Sequence, residues 1–138
     1  MADKISRRLR SWNMARIRSK DMRPELIVRS LAHRFGYRFR LHVKELAGKP
    51  DIVRKRQKQA IFVHGCFWHQ HSDPKCLDGR LPKSNRQYWV PKLERNVSRD
   101  ALAVAALKKA GWKVLVVWEC ETKNEAKLER KLLRFLIK

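Results

Sequence analysis

Thirteen residues, His64 to Cys76, hold three histidines, two cysteines and two large aromatics in the order HGCFWHQHSDPKC. Cys66, His71 and Cys76 stand four intervening residues apart, so one irregular loop can fold them around an ion, and the distant Cys120 supplies a fourth donor. Thiolates joined by an imidazole suit Zn2+, which in structural sites prefers a closed tetrahedral shell of sulfur and nitrogen. The tract offers more donors than one such ion can use. Spacing does not separate His69 from His71 as the nitrogen ligand, and Asp73 is an oxygen competitor that a borderline-soft ion should pass over for a third thiolate. The histidine that zinc does not take is free for other chemistry.

A second group begins at KPD, Lys49 to Asp51. Asp51 opens the run DIVRK, and the next run, QAIFVHG, leads into the ligand-rich tract. If the two runs are neighbouring strands, Asp51, the Val63 carbonyl and His64 converge at their ends. An oxygen-rich pocket of that kind suits Mg2+, which takes few protein ligands and keeps waters and phosphate oxygens. His69, beside it, could then activate a water.

Lysine and arginine number 34 against 13 acidic residues, a formal charge of +21. Such a chain repels itself unless it meets a polyanion, and nucleic acid is the expected partner. A membrane surface is set aside, because the basic residues are spread along the chain rather than gathered on one amphipathic helix or beside an apolar span. No run approaches the ~18 apolar residues of a spanning helix, and MADKISRRLR lacks the apolar core of a signal peptide, so a cytoplasmic location is expected. Three cysteines cannot all pair, which favours thiolate ligands in a reducing compartment over a disulfide framework.

The elements that must position these groups follow from periodicity. Residues 1–21 carry seven basic residues with Trp12, Met14 and Ile17 but no clean period, and read as an arm that orders on its partner. Residues 22–138 suffice for one domain with its own core. Pro24 and Glu25 suit a helix start, Leu26, Leu31, Ala32 and Phe35 supply an apolar stripe, and Gly36 ends it. YRFRLHV, DIVRK and QAIFVHG read as three strands. A long helix from about Gln87 to Ala110 stops at Gly111, KVLVV is a buried strand delivering Trp118, Glu119 and Cys120, and a last helix spans about Thr122 to Ile137. The expected order is αβββαβα, an α/β sandwich around a mixed sheet flanked by helices.

FVHGCFWHQH, with KPD, PKSNRQYW, RNVSRD and GWKVLVVWEC, resembles the very short patch repair (Vsr) endonucleases, which nick DNA at T:G mismatches. The resemblance runs from Ser11 to Cys120. It implies the fold of type II restriction endonucleases, a catalytic Mg2+ and a structural Zn2+. Asp51 matches the metal-binding aspartate, the Val63 carbonyl the second protein ligand, and His69 the general base, while Glu25 and His64 match residues assisting at the metal waters. Cys66, His71, Cys76 and Cys120 match the zinc set. Phe67, Trp68 and Trp89 resemble an aromatic wedge entering the base stack, and Met14 one entering from the opposite groove. Lys92 and Asn96 resemble base-edge or phosphate contacts, with a solvated helix face as the alternative. The second acidic residue and lysine usual after the aspartate of that fold are absent, a histidine taking over the lysine's chemistry. The interval from His71 to Cys76 is longer than the family's common form.

The function expected is therefore Mg2+-dependent nicking 5′ of the thymine in a T:G mismatch left by 5-methylcytosine deamination. The partners implied are mismatched duplex DNA and, functionally, a cytosine-5 methyltransferase and the mismatch repair proteins, for a monomeric enzyme. Two other readings remain: a zinc-stabilised module that binds distorted DNA without cutting, and a restriction-type endonuclease with a different target.

Overall fold

The computed structural model describes residues 23–76, 79, 81 and 83–137. The basic arm, Met14 included, lies outside the described residues. Helix α1, Arg23–Arg34, ends as its sequence requires: Gly36 takes φ 84, and the N–H groups of Gly36 and Tyr37 donate to the His33 and Ala32 carbonyls at 2.9 and 3.2 Å. This closure needs a left-handed residue that only glycine adopts without strain. Val28, Leu31 and Ala32 are buried along one side of α1, and Phe35 packs against them. Leu26, expected in that stripe, is 47% exposed. It lies about 200° around the helix from Val28, off the inward face.

Four strands form one sheet in the order β1-β2-β3-β4: Arg40–Leu41, Ile52–Arg54, Gln59–His64 and Lys113–Trp118. The first three pair antiparallel, while β3 and β4 are parallel from Gln59↔Lys113 to His64↔Trp118. The run YRFRLHV yields only two residues of strand. His42 breaks it by taking φ 51, although its N–H still donates to the Asp51 carbonyl at 3.1 Å.

Helix α2, Arg86–Lys109, makes the crossover between the parallel strands and stops at Gly111, whose φ is 90. The expected last helix divides. A 3-10 turn, Glu119–Lys123, precedes α3, Glu125–Leu136, because the Asn124 side chain accepts the Lys127 N–H at 3.2 Å and starts a new helix there.

Alternation along the strands assigns the two faces of the sheet. Ile52, Ile61 and Val117 pack with Val28, Leu31 and Ala32 of α1 and Leu128, Leu132 and Leu136 of α3. Ala60 and Phe62 face Leu107 of α2, with Val114 and Val116 alongside. The helices therefore cover both faces and leave the end of the sheet where β3 and β4 finish for the polar groups. Among the described residues no helix is long and apolar enough to cross a membrane.

Candidate functional site

Asp51 lies one residue before β2 and uses its side chain where the ladder has run out. Its Oδ2 accepts the Val63 N–H at 2.7 Å, two residues beyond the Ile52↔Ile61 pair. Because the N–H and C=O of one strand residue leave on the same side, the Val63 carbonyl is turned toward Asp51 as well. Glu25, 7% exposed on α1, joins Asp51, and Arg29 one turn along α1 pairs with Glu25. Burial first, then the hydrogen bond with Glu25, push the Asp51 carboxyl up to about 8. Two carboxylates confined together cannot both ionise without a compensating cation, so this donor set fits a divalent ion.

That shift has a measurable consequence. The folded protein holds a proton on Asp51 that the unfolded chain releases near 3.8. The stability this group contributes is fully present below that value and is lost as pH rises to about 8. His64, lowered from 6.5 to about 4, acts in the opposite sense over that lower range, so denaturant melts of magnesium-free protein should show the decline from pH 6.5 to about 8 and Asp51→Asn should remove it; an unchanged slope in the variant would refute the assignment.

On the other side of β3's end, His64 is 6% exposed and its ring stacks on His69, centroids 3.9 Å apart and 5° from parallel. Burial, reinforced by His69, lowers His64 to about 4, so it is neutral near pH 7. Its Nδ1 is buried and has no hydrogen-bond partner among the described residues, a group suited to water or substrate oxygen. His69 Nδ1 lies 2.5 Å from Oδ2 of Asp100 on α2. Donation to that carboxylate leaves Nε2 as the basic atom.

The three cysteines and His71 bring one donor atom each within 4.8 Å of one another. His71 Nδ1 is 3.4 Å from the Cys120 sulfur and 3.7 Å from that of Cys66. The structure thus separates the histidines that spacing could not: His71 joins the sulfurs and His69 faces Asp100. Asp73 is outside the cluster and its carboxylate accepts the Lys75 N–H at 2.9 Å, shaping the turn before Cys76. Burial pushes the Cys66 and Cys120 thiols up, and a dication would reverse that by favouring the thiolates. The frame around them is firm. Glu119 accepts the Cys66 N–H at 3.3 Å, Lys131 and Trp118 both bond Glu121 beside Cys120, and the Trp118 ring stacks on His71 at 4.3 Å.

Phe67 and Trp68 are half-buried and form a triangle with Trp89, edge to face, with centroids 5.2 to 5.7 Å apart. The cluster is a partly exposed knob rather than core. Lys92 lies over the Trp68, Tyr88 and Trp89 rings, and Asn96 donates to the Trp68 carbonyl at 3.1 Å, so both side chains brace this knob.

Two residues here escape the sequence reading. Asp100 sits in RNVSRD on a helix rich in charge, where nothing marks one carboxylate from its neighbours. His42 reads as strand, and only its positive φ turns the ring toward Glu25, from which Nε2 is 3.2 Å away.

Comparison with known proteins finds relatives over nearly the whole chain. A family model described as DNA mismatch endonuclease Vsr matches residues 2–75. The chain is 50% identical over 136 residues to a protein of Xanthomonas oryzae pv. oryzae named Type II nicking enzyme V.XorIIP, covering 99% of this chain and 98% of the relative. It is 43% identical over 136 residues to the Neisseria meningitidis Type II nicking enzyme V.NmeAIP, covering 99% and 95% respectively. Over 128 residues it is 38% identical to the DNA mismatch endonuclease Vsr of Escherichia coli K12, covering 93% of this chain and 80% of that protein.

Proposed function

The chain belongs to the Vsr family of DNA mismatch endonucleases, and from that premise we propose that it nicks one strand of duplex DNA 5′ of the thymine in a T:G mismatch. It is a DNA endonuclease and hence a hydrolase. The observation that carries the finer reading is the pairing of unlike groups around two consecutive residues. Val63 bonds the buried Asp51 carboxyl, and His64 stacks on His69, whose other side is tied to Asp100.

Asp51 and the Val63 carbonyl would hold Mg2+, with Glu25 assisting at the waters of that ion. When bound, that ion supplies positive charge to the phosphate oxygens and the leaving group. His69 takes the proton from the attacking water at Nε2, while Asp100 holds the ring and stabilises the imidazolium that results. Neutral His64 orients an oxygen through its buried Nδ1. Cys66, His71, Cys76 and Cys120 would hold a structural Zn2+, which fixes the loop carrying both the base and the aromatic knob. The arrangement of a mixed sheet with the aspartate at a strand start supports a fold related to the type II restriction endonucleases. The enzyme is read as a cytoplasmic monomer, working beside a cytosine-5 methyltransferase and the mismatch repair proteins.

The aromatic knob supports wedging at the lesion. Inserting rings between bases costs a few kcal/mol of stacking, least where pairing is already poor, so the wedge favours mismatched sites. Trp68→Ala should therefore lose roughly tenfold in preference for mismatched over paired duplex, at about 1–3 kcal/mol per stacked ring, while overall affinity, set by basic residues on phosphates, falls less. Competition binding at fixed salt measures both, and equal losses on the two duplexes would remove the wedge.

Strand-resolved cleavage with Mg2+ on duplexes carrying one T:G mismatch, in varied flanking sequence, tests the function. A single nick 5′ of the mismatched thymine is expected. Tight mismatch binding without cutting would favour the binding module, and cutting of fully paired DNA a restriction-type activity.

A further inference from the structure

Glu25, His42 and Asp51 each bring one acceptor atom within 4.8 Å of the others. His42 has no part in the mechanism above, yet a left-handed turn of the chain places it here. Its φ of 51 is a left-handed conformation uncommon for residues with a side chain, taken also by Lys49, Lys58, Gln70 and Asn85. The His42 N–H donates to the Asp51 carbonyl at 3.1 Å, which ties that residue to the strand that carries the aspartate. The ring then faces α1, where Nε2 lies 3.2 Å from a Glu25 carboxylate oxygen and 3.1 Å from Nη2 of Arg29.

A guanidinium has donors and no acceptor, so an Nε2 that accepts from Arg29 presents its lone pair on the side of Glu25 and Asp51. Histidine binds metals through the lone pair of a neutral ring nitrogen, and Nε2 is the ring atom that faces the two carboxylates. Through one terminal nitrogen, Arg29 contacts both Glu25 and His42, gathering them as a small cation would.

We propose that His42 is a nitrogen donor to the divalent cation at Asp51, so that the centre is a mixed nitrogen and oxygen site favouring Mn2+ and Co2+ over Mg2+. Imidazole suits the transition ions, whereas Mg2+ prefers oxygen and gains little from nitrogen. The inference rests on the proposed cation site at Asp51 and adds to it a ligand and a preference.

Zinc-loaded, full-length protein is titrated with Mn2+, followed by electron paramagnetic resonance, and separately with Mg2+ by calorimetry, beside His42→Ala, His42→Gln and Asp51→Asn. Both His42 variants should lose about tenfold or more in Mn2+ affinity, at least what loss of an outer-sphere partner can cost, with Mg2+ affinity moving less than about threefold. The nitrogen modulation in the spin-echo spectrum of bound Mn2+ should disappear with His42. Equal losses for both ions, no loss for either, or persistent nitrogen modulation would overturn the proposal. The Gln variant keeps most of the side chain's bulk, so an unchanged melting temperature separates a lost ligand from a lost fold. Asp51→Asn distinguishes the two levels: if it leaves binding of both ions intact, the cation site itself fails, and if it removes both, the His42 variants alone decide.

Discussion

Asp51→Asn should leave a folded protein that still binds mismatched duplex but nicks it about a thousandfold more slowly or worse. The size follows from what the carboxylate would do. A divalent ion at a phosphoryl centre contributes several kcal/mol of charge stabilisation, and each ~1.4 kcal/mol is tenfold in rate. The fold should survive, because the asparagine oxygen can accept the Val63 N–H that Asp51 accepts at 2.7 Å, and its amide N–H can replace the protonated carboxyl beside Glu25. Single-turnover nicking with saturating enzyme separates this loss from any change in binding. Cutting at the wild-type rate would refute the proposed cation site, and loss of the circular dichroism spectrum would show that Asp51 is needed for folding instead.

The second large effect is expected at the cysteine cluster. Structural zinc binds zinc-finger peptides with roughly 10–16 kcal/mol of apparent free energy, so removing one of four ligands should cost several kcal/mol and lower the melting temperature by roughly 10 °C or more. Cys120→Ser tests this from outside the loop. Cys120 lies in the 3-10 turn after β4, braced by Glu121 and Lys131, so that turn should persist while the loop from Gly65 to Cys76 loosens. Phe67, Trp68 and His69 all ride on that loop. Nicking and mismatch preference should therefore fall together with zinc content, measured by metal analysis of the purified variant. Full stability in wild-type protein that contains no zinc would end this reading.

The two sites are joined physically as well as in sequence. Rings of His69, His64, Trp118 and His71 follow one another at 3.9, 5.2 and 4.3 Å between centroids. Trp118 thus touches the cysteine cluster through His71 and the stacked His64–His69 pair through His64. Its position is dictated by the parallel register that sets it opposite His64 at the ends of β3 and β4. A shift of one residue in that register would turn every side chain of one strand to the other face and break the sequence of rings.

The order of elements, the mixed α/β class, the glycine stops at Gly36 and Gly111 and the ligand-rich tract were all legible in the sequence. Each is a local matter: periodicity along one segment, a turn residue that permits φ above zero, or donors spaced a few residues apart. Cys66, His71 and Cys76 could be grouped because they share one short loop, and Cys120 because the chain has only three cysteines. The assignment of His71 to the sulfurs and His69 to Asp100 was decided by tertiary structure, since the carboxylate that distinguishes them is carried on a helix some thirty residues away. The two-residue β1, the outward Leu26, the start of α3 at Asn124 and the turning of His42 toward Glu25 were likewise set by packing and hydrogen bonds between elements. Local sequence determines which segments can be helix or strand and which residues can do chemistry. Which of those residues meet depends on sheet register and on the faces the helices cover, and these are settled only when the whole core is buried at once.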